Sequence, residues 1–168
     1  MRAIGLKGLS LVASVFLLAA CGGNETATNT GGGYTTATPP APVATTSGPI
    51  GGSQEDLVVN VGDRVFFAFD SSVIDGEARA TLDRQAAWLG QYPTNTLTLE
   101  GHADERGTRE YNLALGERRA TAVKQYLVAA GVDPSRLTTI SYGKERPVCV
   151  ASDDNCYAQN RRGVSVLN

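Results

Sequence analysis

The sequence predicts an α/β fold, with helices packed on one sheet, for about the last 110 of its 168 residues. Four short β-rich segments alternate with segments of helical periodicity, and strands that alternate with helices build such layers. Residues 1–20 have the composition of a leader, and residues 21–58 contain few large apolar side chains. Only residues 59–168 can therefore build a core, and their number suits one ordinary domain.

The first strand and the first long helix follow each other closely. Residues 64–69 form a β-rich run. Residues 76–91 have apolar side chains at helical spacing, and Asp75 suits the N-cap of a helix that begins there. Pro93 ends this region, because proline cannot continue a helix.

The second half of the domain is predicted to contain three strands and a long helix. Residues 96–100 alternate apolar and polar side chains, as a half-buried strand does. A helix over about 108–130 has one apolar face, and Gly131 suits the position after its C-terminus. That face comprises Leu115, Ala122, Val123, Tyr126 and Leu127. The remaining strands are expected over 137–142 and 163–167.

The N-terminus has the layout of a secretory signal that ends in a modified cysteine. Arg2 and Lys7 precede an uncharged, mostly apolar run over 9–20, which is too short to span a bilayer comfortably. The run ends in the letters LAAC, of which the last is Cys21, and these letters resemble the bacterial lipobox. We expect cleavage after residues 1–20 and a covalent lipid on the Cys21 thiol, with no other cofactor. An ordinary signal peptide with a chance cysteine is the alternative.

Residues 21–58 are predicted to form a disordered tether. Gly, Thr, Ala and Pro dominate the segment, and such a composition cannot bury enough apolar surface to fold. The resemblance to the bacterial lipobox implies that aspartate after the cysteine would favour the inner membrane, so Gly22 leads us to expect a lipid anchor on the periplasmic face of the outer membrane. About 35 residues reach ~115 Å when stretched and roughly 30 Å as a coil, so a folded domain could search well beyond the membrane surface.

The charge of the chain argues against a nucleic-acid partner. The formal net charge is −2, and it becomes −4 once Arg2 and Lys7 leave with the leader. A mildly acidic chain is a poor candidate for binding a phosphate backbone.

Three motifs follow the second predicted strand. Residues 101–108 read GHADERGT, residues 115–120 read LGERRA, and residues 141–147 read SYGKERP. Together they resemble the OmpA-like peptidoglycan-binding domain family over nearly all of residues 59–168. The resemblance implies a two-layer sandwich of α/β (α+β) class, with the element order β-α-β-α-β-(short α)-β and a mixed four-stranded sheet. The lipid anchor favours the lipoprotein members of the family over its flagellar stator members, which use a transmembrane helix.

Asp104 and Arg119 are the candidate ligand-binding pair. Asp104 follows a strand and Arg119 lies on the next helix, so that a helix returning past the strand end can bring the two together. Peptidoglycan of the diaminopimelate type offers a free ammonium and a free carboxylate, and an arginine fork suits the carboxylate. The resemblance assigns this binding to these two positions. Without it, a structural ion pair would be the better interpretation.

The resemblance adds five residues to the expected pocket. It places Phe69 and Asp70 at the end of the first strand, with backbone groups toward the ligand. It also implies that Arg106, Thr108 and Leu115 line the pocket.

The other arginines of the motifs carry weaker expectations. Arg118 points about 100° away from its neighbour on the helix and is expected to be solvated or structural. Arg161 and Arg162 could support either the sheet edge or the ligand carboxylate, and the sequence leaves both open. Arg109 stands where the family commonly has proline, beside the expected pocket.

A catalytic role is a remote alternative. His102 is the only histidine, and Asp104 and Glu105 beside it are too few ligands for a typical zinc site. No nucleophile motif such as G-x-S-x-G accompanies it. The resemblance places this histidine near the pocket rim without a catalytic role. We therefore expect neither a peptidoglycan-modifying enzyme nor a bound metal.

Cys149 and Cys156 enclose six residues before the last predicted strand. An exported protein meets an oxidising compartment, so we expect a disulfide between them. Two free thiols are the alternative.

The predicted function is that of an outer-membrane lipoprotein that binds peptidoglycan noncovalently. The resemblance further implies the Tol system, with the periplasmic propeller protein TolB and other Tol proteins as partners. It thereby implies a role in envelope integrity and in constriction at division. A lipoprotein that anchors the wall without Tol partners is the alternative.

Overall fold

The structure is a computed structural model that describes residues 48–168. The predicted signal peptide, the lipid site at Cys21 and most of the predicted tether lie outside these residues. Every helix in the described part is too short or too polar to cross a membrane.

A mixed sheet of four strands forms one layer of the domain. The strands are β1 (Arg64–Phe66), β2 (Leu97–His102), β3 (Leu137–Gly143) and β4 (Arg162–Leu167). They lie in the order β1-β4-β2-β3, in which β4 runs antiparallel to both of its neighbours and β2 and β3 run parallel. β2 is therefore a central strand that is hydrogen-bonded on both sides. This mixed sheet confirms the predicted fold class.

The two long helices, α2 (Gly76–Gln91) and α3 (Arg109–Ala129), form the other layer. Two shorter helices are α1 (Gln54–Asp56, continued by one π-helical turn, Leu57–Val61) and α4 (Asp154–Asn160). The side chains of Asp75 and Thr108 accept the backbone N–H groups of Ala78 and Tyr111, and so cap α2 and α3. The sequence predicted both long helices to within a residue at each end.

The core lies between the sheet and the two long helices. Its buried members are Leu57, Val65, Phe67, Ala78, Leu82, Trp88, Leu89, Leu97, Leu99, Val123, Leu127, Val132 and Leu137. Burying a side chain of this size contributes about 1.5–3 kcal/mol relative to leaving it exposed, so these residues dominate the stability of the domain.

The first strand is shorter than the predicted run over 64–69. The backbone N–H of Phe67 still donates to the carbonyl of Arg161 at 2.9 Å, but the ladder ends there. Asp70 adopts φ 52°, a left-handed conformation that turns the chain out of the sheet. The residues after Phe67 thus form a loop at the end of the strand.

The folded domain begins before residue 59, the boundary expected from the sequence. Leu57 is fully buried in the core. Asp56 accepts a hydrogen bond from the Trp88 indole at 2.8 Å and another from the backbone of Gly52 at 2.8 Å. The carbonyl of Gly52 in turn accepts from the Asn95 side chain at 2.8 Å. The chain therefore enters the domain at the end of the sheet where β2 begins.

β2 and α3 approach each other closely at a pair of glycines. A Cβ atom at Gly101 would lie 1.8 Å from the carbonyl oxygen of Gly116, so a side chain cannot fit there. The contact seats α3 directly on β2. Arg119, three residues further along α3, is thereby brought over the end of the strand.

Candidate functional site

A pocket of about 180 Å³ opens where β2 ends and α3 begins. It is lined by Phe69, Asp70, Asp104, Arg106, Gly107, Tyr111, Asn112, Leu115 and Arg119. Six of the seven residues predicted to bind the ligand therefore share one pocket. The exception is Thr108, which caps α3 and does not line the pocket.

Three lining residues were not assigned to the pocket from the sequence. Gly107 and Asn112 belong to the loop and to the first turn of α3, and the Asn112 side chain holds the loop by donating to the Arg106 carbonyl at 2.8 Å. Tyr111 could have been found from its spacing. It precedes Leu115 by four residues, and residues four apart on a helix share a face.

Arg119 is the most deeply buried charged group of the pocket, with 0% of its surface exposed. Its guanidinium donates to three backbone carbonyls, those of His102 at 2.7 Å, Ser71 at 2.8 Å and Ala68 at 3.2 Å. These bonds use three of the five N–H donors that a guanidinium has. They hold the group rigidly at the base of the pocket and leave donors for a ligand.

The charge of Arg119 has no carboxylate in contact with it. None of the ion pairs among residues 48–168 includes Arg119. Burial, and then the nearby charge of Arg161, lowers the pKa of Arg119 to about 10, so the group remains a cation at neutral pH. A buried cation that is bonded only to carbonyls and faces a pocket is suited to an anionic ligand.

Asp104, by contrast, is fully engaged, although not with Arg119. Arg106 Nη2 donates to one carboxylate oxygen at 2.7 Å, Arg106 Nε to the other at 3.2 Å, and Arg161 Nη1 lies 3.4 Å away. Burial raises the pKa of Asp104, but the bonds and charge of Arg106 and the bond from Arg161 outweigh it and hold the pKa below its usual value. The structural ion pair of Asp104 with Arg119, which was the alternative to ligand binding, is therefore absent from the described residues, and Asp104 pairs with Arg106 instead.

Arg106 lies between two aromatic rings at the pocket mouth. Its guanidinium carbon is 4.1 Å from the ring centre of Phe69 and 4.5 Å from that of Tyr157. Such cation–π contacts contribute about 0.5–1 kcal/mol each at exposed sites. They add to the pair with Asp104 and keep the Arg106 side chain folded over the mouth.

The outer rim is formed by the loop after β1. Phe69 is 62% exposed, and Asp70 is held by the hydroxyl of Tyr111, which donates to its carboxylate. That bond raises the pKa of Tyr111. The positive φ of Asp70 turns both rim residues toward the pocket.

The other singled-out residues lie elsewhere. The His102 side chain is buried against Tyr142, with ring centres 5.5 Å apart, and does not line the pocket. Only its carbonyl reaches the site, so the expected place of the histidine at the rim is wrong. Arg118 is exposed, as predicted. Of the two arginines left open by the sequence, Arg161 reaches Asp104, whereas Arg162 is buried and bonds the carbonyls of Asn160 and Arg146.

A disulfide joins Cys149, in the loop after β3, to Cys156 in the first turn of α4, with the two Cα atoms 5.0 Å apart. The same loop reaches the pocket through Glu105, whose carboxylate accepts hydrogen bonds from Ser152 at 2.7 Å and Tyr157 at 2.9 Å. The cross-linked loop thereby positions the Tyr157 ring against the pocket mouth.

The fold and the pocket match a known family. The model of the OmpA family matches residues 66–161, which run from the last residue of β1 through the pocket and the disulfide loop. The chain therefore belongs to the OmpA family, as the sequence motifs predicted.

Individual relatives show which members of the OmpA family this chain is similar to. The chain is 64% identical over 116 residues to the peptidoglycan-associated lipoprotein of Rhizobium meliloti, a match that covers 69% of this chain and 66% of the relative. It is 40% identical over 161 residues to the protein of the same name from Pasteurella multocida, covering 94% and 95% of the two chains. These relatives are named as lipoproteins and not as enzymes, in agreement with the prediction of a noncatalytic protein.

A solved structure supports the same assignment. The crystal structure of the peptidoglycan-associated lipoprotein from Burkholderia pseudomallei is 40% identical, with a TM-score of 0.62. The match covers 63% of this chain and 90% of that one. The common part is the folded domain.

Proposed function

We propose that the chain is an outer-membrane lipoprotein that binds the diaminopimelate side chain of peptidoglycan noncovalently in this pocket. The observation that carries the proposal is the buried Arg119 cation, which has carbonyl partners and free donors but no carboxylate in contact. A ligand carboxylate would supply the missing negative charge and accept the remaining N–H groups.

The rest of the pocket suits the other parts of the same side chain. Asp104 and Asp70 offer the negative charge that an ammonium requires, and both line the pocket with Arg119. Phe69 and Leu115 offer apolar surface for the methylene groups between the two ends of diaminopimelate. The names of the relatives, which associate these lipoproteins with peptidoglycan, support the wall as the source of the ligand.

Nothing in this arrangement requires a chemical step on the wall. Binding through ion pairs and hydrogen bonds is reversible, so the link between the outer membrane and the wall breaks and reforms during growth. A lipid on Cys21 would supply the membrane end of this link, because two or more acyl chains anchor a protein stably. A Cys21→Ala variant should leave the membrane fraction, and a variant that stays there would contradict this anchor.

A partnership with the Tol proteins, including TolB, extends the proposal to envelope integrity and constriction at division. The resemblance to the lipoprotein members of the family supports it. An anchor without Tol partners is the alternative. Affinity capture of Tol proteins from an envelope extract by the full chain would support the partnership, and their absence would favour the plain anchor.

The central test compares two muropeptides that differ in the proposed contact. A diaminopimelate-type muropeptide carries the free carboxylate, whereas its lysine counterpart keeps the ammonium and lacks the carboxylate. In calorimetric titrations the wild-type chain should prefer the former by about tenfold or more, as for a charge-assisted pair. Arg119→Gln should lose this preference, and the exposed Arg118→Gln should keep it. Equal affinity of the wild type for both would refute the proposal.

Binding must also be separated from cleavage. Purified sacculi should pellet the protein and release no soluble muropeptides after prolonged incubation. Released fragments would instead support the enzyme alternative.

A further inference from the structure

The negative group expected to receive the ligand's ammonium is already occupied in the free domain. The Asp104 side chain is only 5% exposed, and its two oxygens accept from Arg106 and lie near Arg161. An ammonium therefore has no open position on Asp104 unless one of these guanidinium groups moves.

Only one of the two is free to move. Arg161 is 14% exposed and its Nε donates to the Phe67 carbonyl at 3.0 Å, so it belongs to the framework beside β1. Arg106 is 36% exposed, lies in the loop after β2, and is held in the mouth by the rings of Phe69 and Tyr157.

We propose that Arg106 is an internal substitute for the ligand's ammonium, which occupies Asp104 in the free protein and is displaced when a zwitterionic ligand binds. This inference rests on the proposed function, because it deepens the account of the same pocket. It makes Arg106 a residue that sets specificity without being a lasting partner of the ligand.

The consequence for specificity follows from the charges. A ligand that carries only carboxylates can pair with Arg119 while Arg106 stays on Asp104 and neutralises it. A ligand that also carries an ammonium replaces one cation on Asp104 by another and must first break the Arg106 pair. Removing the Arg106 charge should therefore help the zwitterion and hinder the plain carboxylate, since an exposed anion repels it.

The experiment uses the full chain in detergent micelles and two small ligands of the same carbon skeleton. These are meso-diaminopimelate, which carries ammonium groups, and pimelate, which carries none. Calorimetric titration of Arg106→Gln should show an affinity for diaminopimelate about three- to tenfold higher than that of the wild type, as for a lost ion pair. Its affinity for pimelate should fall by a similar factor.

A matched control removes the same charge nearby. Arg109 lies three residues away, is exposed and pairs with the exposed Glu145, so Arg109→Gln should change neither affinity. Arg106→Lys keeps the charge but loses the two-pronged contact, and should give a smaller gain for diaminopimelate. Far-UV circular dichroism of each variant checks that the fold is kept, and Arg106→Lys decides the question should Arg106→Gln fail to fold.

The outcomes are distinct. If Arg106→Gln bound both ligands more weakly, Arg106 would be a direct ligand contact. If both affinities stayed unchanged, Arg106 would have no role in ligand binding. Either result would overturn the inference. A wild type that binds neither ligand would count against the proposed function alone. In that case, an Arg106→Gln variant that binds diaminopimelate would still support the displacement of Arg106. A variant that does not bind it would refute that displacement.

Discussion

The two ends of the sheet each hold an arginine that donates to three backbone carbonyls, but only one of these arginines faces a pocket. At the pocket end, Arg119 is fully buried and faces a cavity. At the opposite end, Arg136 is half-buried and bonds the carbonyls of Leu89, Tyr92 and Asn95 at 3.1, 2.9 and 2.8 Å. The hydrogen bonding is alike, but the surroundings differ.

What differs is how the positive charge is compensated. The carbonyls of Leu89 and Tyr92 lie at the C-terminus of α2, where the helix dipole is negative, so Arg136 serves as a cap. Arg119 has neither a helix C-terminus nor solvent to compensate it. Hydrogen-bond partners alone therefore do not distinguish the two arginines; the proposed binding role of Arg119 depends on its buried charge beside an open pocket.

The largest effect expected from this comparison is on Arg119→Ala. Its affinity for a diaminopimelate-type muropeptide should fall by about 2–5 kcal/mol, the cost of truncating one partner of a desolvated charge pair. Arg136→Ala, the matched control, should lose stability in urea unfolding but bind the muropeptide normally. Equal losses of affinity in the two variants would show that the arginines do not differ in role.

The second prediction concerns the packing that carries Arg119 to the pocket. Gly101→Ala should cost about 3 kcal/mol of unfolding free energy, because its methyl group would collide with the backbone of Gly116. Gly90 lies toward the other end, in α2, and has open space around it, so Gly90→Ala should stabilise by about 0.5–1 kcal/mol. Urea denaturation measures both. A tolerated Gly101→Ala would refute the close contact of α3 with β2.

The third prediction places an acid-sensitive group at the pocket end. Burial, and then the charges of Arg162 and Arg146, lowers the pKa of His102 to about 4. The Glu100 carboxylate lies 3.5 Å from Nε2, too far for a good hydrogen bond, and neither ring nitrogen has a hydrogen-bond partner among the described residues. The unfolded chain binds this proton near pH 6.5, so stability present at neutral pH should be lost as the pH falls from about 6.5 to 4. The loss should approach about 3 kcal/mol.

Urea unfolding at a series of pH values tests this. Carboxylates with lowered pKa values, such as that of Asp104, also stabilise the folded state, but this stability is lost only as the pH falls below about 4.5. A His102→Gln variant should therefore show little change in stability between pH 6.5 and 4.5. A variant with the wild-type slope would assign the effect to another group.

The smallest expected effect concerns the disulfide loop. Reducing the bond between Cys149 and Cys156 should cost about 2 kcal/mol of stability, because it releases a short loop in the unfolded chain. The oxidised protein should be lighter than the reduced one by roughly 2 Da, the two hydrogens lost when the bond forms. Identical masses with and without reductant would show free thiols.

Local patterns were sufficient for the long helices and for most of the pocket. Apolar spacing and the caps at Asp75 and Thr108 marked α2 and α3, since both signals lie within a few residues of each other. The family motifs placed Asp104 and Arg119 at one site, where the pocket has them both. These features are determined by residues that are close in sequence or that belong to the family motifs.

The features that were missed depend on distant partners. β1 ends early because the chain turns at Asp70. The carbonyl of Phe67 accepts a hydrogen bond from the side chain of Arg161, which is 94 residues further along the chain. The contact of Asp104 with Arg161 joins residues that are 57 positions apart in sequence. Leu57 was assigned to the tether because a helical turn of so few residues shows no periodicity, although the core requires its side chain.

The position at which the chain joins the domain has a mechanical consequence. Gly52 is fastened at the start of β2, and the pocket lies beyond the other end of the same strand. If the proposed lipid anchor and a wall fragment bound in the proposed pocket pull in opposite directions, the tension runs along a strand that is bonded to β3 on one side and β4 on the other. Its ladder bonds then bear the load in shear, all together, whereas the short marginal strand β1 lies outside the line of force.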